Sequence, residues 1–121
     1  MSAEKKSTLL LIGQDNMLHY LLKRYAEQSG YNTLAYQTVA SILEMRAVKP
    51  IAIVFLSTEL LEASQGFVEE MTSHETPILV CSSDGDEARA KELGADYCLL
   101  HPLTYDNFHA ALLATGVSKQ V

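Results

Sequence analysis

Residues 50–58 of the chain read Pro-Ile-Ala-Ile-Val-Phe-Leu-Ser-Thr, and they decide its fold class. The six apolar residues from Ile51 to Leu56 are typical of a strand that is buried on both faces, as in a parallel sheet covered by helices on each side. A helix that precedes this run must stop near Pro50, because the residue before a proline disfavours helical geometry. We therefore predict a central parallel strand that ends at Leu56.

Short apolar runs alternate with segments of helical periodicity on both sides of this strand. Further strands are predicted over 8–12, 31–37, 78–81 and 96–100. The intervening segments carry apolar residues at spacings of three and four, as in Leu18, Leu21, Leu22 and Tyr25. The predicted helix caps are Asp15 or Asn16, Thr38, Ser83 with Asp86, and Thr104.

Five strands that alternate with five helices require crossover connections. The predicted fold class is therefore α/β, with a doubly wound five-stranded parallel sheet of the flavodoxin-like (βα)5 type and the strand order 2-1-3-4-5. The domain is expected over 8–116, with a disordered N-terminus over 1–7 and a C-terminal tail over 117–121. The carboxyl ends of strands 1 and 3 are where such a sheet places its site.

Composition limits the function classes. The chain has 121 residues and a formal net charge of −6, which argues against nucleic-acid binding because phosphate backbones attract clustered Lys and Arg. No apolar run reaches the roughly 18 residues that a membrane span needs. Cys81 and Cys98 lie in apolar runs without metal-binding spacing, so buried free thiols and a cytoplasmic location are expected.

Several short segments, taken together in their order and spacing, resemble the receiver domain of bacterial response regulators over nearly the whole chain. These segments are Leu21-Leu22-Lys23-Arg24, Gly30-Tyr31, Lys49-Pro50, Pro77-Ile78-Leu79-Val80, Leu93-Gly94-Ala95-Asp96 and His101-Pro102-Leu103. The resemblance implies a CheY-like fold and a role in two-component (phosphorelay) signal transduction.

The same resemblance implies that the phosphorylation site is degenerate. In receivers, an acidic pair after strand 1 and an aspartate that ends strand 3 hold Mg²⁺, and that aspartate accepts a phosphoryl group. These positions fall on Gly13, Gln14 and Leu56 here, and the strand-5 lysine becomes His101. Magnesium needs hard oxygen ligands, so no metal and no cofactor are expected. The serine or threonine after strand 4 is retained as Ser82, and the switch aromatic becomes Cys98.

Three neighbouring polar residues, Asp15, Ser57 and Thr58, remain at the degenerate site. Asp15 lies one position late and is interpreted as a helix cap. Ser57 is rejected as an acceptor, because neighbouring strand residues point to opposite faces and a serine hydroxyl is a weak nucleophile without a base. His101 is interpreted as a neutral histidine, and His19, His74 and His109 as surface residues.

The leading hypothesis is a pseudo-receiver, which is a non-enzymatic protein-interaction module that works without phosphorylation. It would bind a partner protein or a second copy through the face formed by the fourth helix, fifth strand and last helix. The candidate residues of that face are Arg89, Glu92, Tyr97, His109 and Leu113.

Two further departures from the receiver pattern are expected. The fourth helix should be about one turn short. Leu60-Leu61 is either an apolar pair that covers the site or an exposed contact.

Two alternatives remain open at this point. The first is an enzyme or small-ligand-binding domain lined by Gln14, Ser57, Ser82, Ser83 and His101, although no nucleophile and base are legible at a useful spacing. The second is a receiver that is phosphorylated at a non-standard residue, Asp15 or Ser57.

Overall fold

A computed structural model describes residues 7–39, 49–82, 86–100 and 102–115. Its single sheet is built from β1 (Thr8–Ile12), β2 (Asn32–Tyr36), β3 (Ala52–Phe55), β4 (Ile78–Ser82) and β5 (Tyr97–Leu100). All neighbouring strands are parallel, in the order β2-β1-β3-β4-β5. The predicted fold class and strand order are confirmed.

Five helices are described: α1 (Asn16–Gln28), α2 (Thr58–Ala63), α3 (Gln65–Ser73), α4 (Glu87–Glu92) and α5 (Tyr105–Ala114). Asp15 and Thr104 cap α1 and α5 through their side chains, as the sequence predicts. The helix predicted after Thr38, with Ile42 and Leu43, lies outside the described residues, as does the predicted cap Ser83.

The segment directly after the central strand forms a short helix, α2, before α3 begins. Ser57 initiates α2, and Ser64 separates it from α3. The Ser64 hydroxyl donates to the Leu60 carbonyl (2.7 Å), and the Gln65 amide donates to the Leu61 carbonyl (3.0 Å). These side chains take carbonyls that a continuing helix would use, so the helical hydrogen bonding is interrupted there.

The sheet is covered on both faces, which explains its continuous apolar runs. On one face, Leu9, Leu11 and Val54 pack against α1 and α5. On the other face, Ile53 and Phe55 pack against apolar residues of α2, α3 and α4. Because successive strand residues point to opposite faces, every residue of β3 is buried.

The two cysteines lie on opposite faces of the sheet. Cys81 belongs to the core beside α1 and α5, and Cys98 to the core beside α2, α3 and α4. Both are buried and free, as predicted. Among the described residues, no helix has the length and apolar character needed to cross a membrane.

Candidate functional site

The carboxyl ends of β1 and β3 bring two of the predicted site positions together. Gly13 follows β1 directly, and Leu56 follows β3 directly. The Leu56 amide donates to the Ile12 carbonyl at 2.9 Å, and the Gly13 amide donates to the Tyr36 carbonyl at 2.9 Å. The parallel ladder therefore continues into both positions and fixes their separation.

Leu56 fills the space beside Gly13. Its side chain is only 5% exposed and belongs to the core beside α1 and α5. A Cβ atom placed on Gly13 would lie 2.5 Å from the Leu56 Cβ, which is closer than such atoms approach one another. Gly13 also has a φ of +151°, a conformation that other residues rarely adopt. No side chain fits at position 13 while Leu56 is present.

Asp15 and Ser57 are both helix caps. The Asp15 Oδ1 atom accepts a hydrogen bond from the Leu18 amide at 3.1 Å, at the start of α1. The Ser57 hydroxyl oxygen accepts from the Leu60 amide at 3.1 Å, at the start of α2. Each side chain satisfies a backbone donor that would otherwise lack an intrahelical partner. Gln14 is exposed between the two strand ends.

Two buried hydroxyls lie near this edge of the sheet. Thr58 starts α2, and its hydroxyl has no hydrogen-bond partner among the described residues. Ser82 ends β4, is 4% exposed, and likewise makes no hydrogen bond of ordinary geometry there. The group that interacts with Ser82 is the Cys98 thiol, which is a weak partner.

The Cys98 thiol is held in its neutral form. Burial raises its pKa, and the Glu87 carboxylate adds to this rise, whereas the Ser82 hydroxyl and Lys91 oppose it. The Sγ atom lies 3.8 Å from the Glu87 carbonyl, to which the thiol donates. Cys98 is thus a small buried neighbour of Ser82 at the position where the family resemblance implies a mobile aromatic ring.

His19 is a site residue that the sequence analysis placed wrongly on the surface. It is half-buried, and its Nε2 atom lies 2.7 Å from the Gly13 carbonyl oxygen. Because a carbonyl only accepts hydrogen bonds, Nε2 carries the proton and donates it. His19, in the first turn of α1, therefore stabilises the loop between β1 and α1 through this hydrogen bond. The sequence feature that could have predicted this contact is the position of His19, four residues after the cap Asp15.

The other predicted residues to be placed are Ser83, His101, Leu60 and Leu61. His101 and Ser83 lie outside the described residues, so the interpretation of His101 as neutral stays a prediction. Leu61 is fully buried, and the half-buried Leu60 lines an open cleft of about 480 Å³. The described lining of this cleft comprises Gly13, Gln14, Asp15, Gln37, Thr38, Leu56, Ser57, Glu59, Leu60 and Ala63.

The predicted interaction face is only partly exposed. Glu92 is exposed and Leu113 is 49% exposed, whereas Tyr97 is half-buried. Arg89 is exposed but forms an ion pair with Glu62 of α2 at 2.6 Å. His109, predicted to be a surface residue, is half-buried and stacks on Tyr105 with ring centroids 5.7 Å apart. His74 is exposed, as predicted, and its Nε2 lies 3.1 Å from Glu70.

The residues at the strand ends do not fit a magnesium ion. Mg²⁺ takes oxygen ligands in octahedral geometry, usually with carboxylates among them. Here Gly13 has no side chain, Gln14 has no charge, and Leu56 places methyl groups where a ligand would stand. Across the described residues, no group of three His, Cys, Asp or Glu side chains is arranged to hold a metal ion.

Comparison with solved structures identifies the receiver fold. The chain is similar to the chemotaxis response regulator CheY4 of Vibrio cholerae, with a TM-score of 0.73 and 13% identity over 92% of this chain and 99% of that one. It is also similar to a response regulator receiver domain protein from Clostridium thermocellum, with a TM-score of 0.72 and 15% identity over 93% and 97% of the two chains.

A third neighbour is described as an atypical orphan response regulator with a phosphorylation-independent regulatory mechanism. It aligns with a TM-score of 0.69 and 18% identity over 89% of this chain and 93% of that one. No protein-family model matches the sequence, and no curated protein matches it. The chain therefore has the fold of response-regulator receiver domains, at identities that establish the fold alone.

Proposed function

We propose that this chain is a pseudo-receiver: a cytoplasmic, non-enzymatic signalling module that binds a partner protein without being phosphorylated. The receiver fold of its structural neighbours supports the signalling role. The phosphorylation-independent mechanism named for one neighbour of similar length is in keeping with it. The proposal rests on the site of this chain rather than on that likeness.

The contact between Leu56 and Gly13 is the observation that carries the proposal. Phosphoryl transfer depends on a positioned acceptor and on cations that stabilise developing charge. Leu56 offers neither an acceptor oxygen nor a metal ligand, and its side chain excludes any replacement at position 13. The two side chains considered as alternative acceptors, Asp15 and Ser57, already accept hydrogen bonds from helix amides.

Beryllofluoride with Mg²⁺ tests this proposal directly, because it mimics a phosphoryl group on a receiver aspartate. Isothermal titration of the whole chain should show no Mg²⁺-dependent binding, whereas a receiver domain that retains its three acidic residues should bind under the same conditions. Incubation with acetyl phosphate, followed by intact-mass and peptide mass spectrometry, should show no added phosphoryl group on Asp15 or Ser57. Stoichiometric binding or a mapped phosphoryl group would refute the proposal.

The face formed by α4, β5 and α5 is part of the proposal as a surface for a partner or a second copy. Its support is the exposure of Glu92 and Leu113. Analytical ultracentrifugation of the wild-type chain and of Leu113→Glu tests the self-association branch. If the chain dimerises through this face, the charge should shift the equilibrium toward the monomer; an unchanged dimer would place the contact elsewhere.

One observation favours a second candidate, binding of a small ligand at the strand ends. The cleft of about 480 Å³ is large enough for a small molecule and carries the amides of Gln14 and Gln37 and the hydroxyl of Ser57. Native mass spectrometry of the purified chain tests it. A bound small molecule that is lost in Gln14→Ala would support this second function, and a ligand-free spectrum would count against it.

A further inference from the structure

The strand β2 (Asn32–Tyr36) lies at one edge of the sheet. It is hydrogen-bonded to β1 on one side, and no described strand lies on its other side. Its side chains are the least buried of the five described strands: Asn32 and Ala35 are exposed, and Leu34 is 42% exposed. A strand edge of this kind offers unpaired backbone N–H and C=O groups to another chain.

The direction of these backbone groups follows from two hydrogen bonds at the ends of β2. The Asn32 amide donates to a carbonyl that precedes β1 (2.8 Å), and the Tyr36 carbonyl accepts from the amide that follows β1 (2.9 Å). The backbone groups of successive strand residues point to opposite edges, so the even-numbered residues of β2 are turned toward β1. Thr33 and Ala35 therefore direct their N–H and C=O groups outward.

The β2 edge lacks the features by which proteins usually prevent strand pairing. Those features include charged side chains, prolines and bulges. From Gln28 to Leu43 the sequence has neither a charged residue nor a proline, and this is the longest stretch of the chain without a charged residue. The register between β1 and β2 is continuous, so β2 contains no bulge. The β2 edge is therefore open to pairing with another strand.

The opposite edge of the sheet is less open. The strand β5 (Tyr97–Leu100) has four residues, and its two central side chains are buried. Together with Asn107 of α5 it lines a cavity of about 140 Å³, and Asp96 places a carboxylate directly before it. The β5 edge is thus shorter, more buried and closer to charge than the β2 edge.

We propose that β2 pairs in the antiparallel direction with β2 of a second copy of this chain, so that the two sheets join into one. The pairing is two-fold symmetric and centred on Leu34, which lies opposite its own counterpart. Thr33 of each copy then faces Ala35 of the other, and these residues exchange hydrogen bonds through their outward N–H and C=O groups. Leu34 forms the non-hydrogen-bonded pair between them, where side chains approach most closely.

Symmetry and charge both favour a second copy as the occupant of this edge. In the two-fold arrangement the outward donors of one copy meet the outward acceptors of the other, as an isologous interface requires. The exposed Leu34 side chains meet and remove each other from water. Because the chain has a net charge of −6, two copies repel each other, and an uncharged edge is where they can approach without placing like charges opposite one another.

The expected dimer is reversible. A single pair of five-residue strands is small beside the interfaces of permanent dimers, so its formation should depend on concentration. The joined sheet would carry β5 at both of its outer edges and thus present the face formed by α4, β5 and α5 twice. This inference goes beyond the proposed function and does not depend on it, because the pairing uses no residue at the carboxyl ends of β1 and β3.

Disulfide formation tests the register of the pairing. The Cα atoms of a non-hydrogen-bonded antiparallel pair lie about 4.5 Å apart, which a disulfide can span. Leu34→Cys should therefore form a covalent dimer in oxidised glutathione. Asn32→Cys, at an exposed position of the same strand, is the matched control: its counterpart would lie more than about 12 Å away, so it should stay largely monomeric. The native Cys81 and Cys98 are buried in both variants.

Analytical ultracentrifugation between about 10 µM and about 1 mM tests the association itself. The wild-type chain should show a monomer–dimer equilibrium. Ala35→Pro should weaken the dimer roughly tenfold or more, because it removes an outward N–H and leaves the hydrogen bonds to β1 in place. Leu34→Lys should weaken it similarly, because it sets two like charges opposite each other. Leu113→Glu should dimerise as the wild type does, and circular dichroism verifies that each variant is folded.

The results that overturn this inference differ from those that overturn the proposed function. A wild-type chain that stays monomeric at all these concentrations would refute the β2 pairing, as would a dimer that only Leu113→Glu dissociates. Equal covalent dimerisation of Leu34→Cys and Asn32→Cys, or coupling of Leu34→Cys to another protein in place of a second copy, would also refute it. Should Ala35→Pro and Leu34→Lys fail to fold, the two cysteine variants decide. Mg²⁺-dependent binding of beryllofluoride would refute the proposed function and leave the β2 pairing untouched.

Discussion

Leu56 and Gly13 are interlocked across the carboxyl edge of the sheet, so that the side chain at one position requires the absence of a side chain at the other. The Leu56 Cβ stands 2.5 Å from the point that a Cβ of residue 13 would occupy. The two positions follow adjacent parallel strands, β1 and β3. Because the clash involves the Cβ at position 56, any residue other than glycine there would exclude a side chain at position 13 in the same way.

Gly13→Ala should destabilise the fold by about 2–5 kcal/mol, which combines the strain of a positive φ with overpacking against Leu56. Urea unfolding followed by circular dichroism measures this. In the Leu56→Gly background the same change should cost less, because the Cβ at position 56 is removed and only the strain remains. Equal costs in both backgrounds would show that the two residues do not interact.

Ser57→Ala should lower the free energy of unfolding by about 1 kcal/mol, because the Leu60 amide loses its cap. Ser57→Asp should stay close to the wild type, since aspartate is an equally good N-cap. Thr104→Ala, which removes the corresponding cap of α5, serves as the matched comparison. A stable Ser57→Ala variant would show that this hydroxyl is not needed as a cap.

Gln65 links three helices through one amide group, which donates to the Leu61 carbonyl of α2 and to the Leu93 carbonyl at the end of α4 (2.8 Å). Gln65→Glu should destabilise the chain by about 1–3 kcal/mol, because a carboxylate cannot donate to either carbonyl. Hydrogen exchange should accelerate at Gly94 and Ala95, which follow α4. Gln28→Ala, at an exposed glutamine of α1, should change neither quantity.

The thiol of Cys81 should make stability depend on pH in the alkaline range. Burial raises its pKa from about 9 to about 12, and the Asp15 carboxylate adds to this rise. The unfolded chain therefore releases this proton before the folded chain does. The stabilising contribution is complete below pH 9 and is lost as the pH rises from 9 toward 12.

Between pH 9 and 10.5 this thiol should reduce the free energy of unfolding by about 2 kcal/mol. The difference between the wild type and Cys81→Ala isolates its contribution from that of the tyrosines. Urea unfolding at several pH values supplies that difference. A constant difference across this range would show that the thiol has an ordinary pKa in the folded chain.

Some features of the molecule are encoded locally and were predictable from the sequence. The run from Ile51 to Leu56 indicates a strand buried on both faces, because an unbroken apolar segment satisfies two covered faces at once. Asp15 and Thr104 were recognisable as caps because the donors that they serve lie three residues away. The strand order followed from the alternation of elements and the handedness of crossovers.

Other features depend on residues that are distant in the sequence, and only the tertiary structure decided them. The contact between Leu56 and Gly13 exists because β1 and β3 lie side by side in the sheet. Neither residue indicates this contact by its place in the sequence. The contact of His19 with the Gly13 carbonyl depends on how α1 leaves the sheet. The sequence determined the scaffold through local periodicity, whereas close packing between separate strands and helices decided what occupies its site.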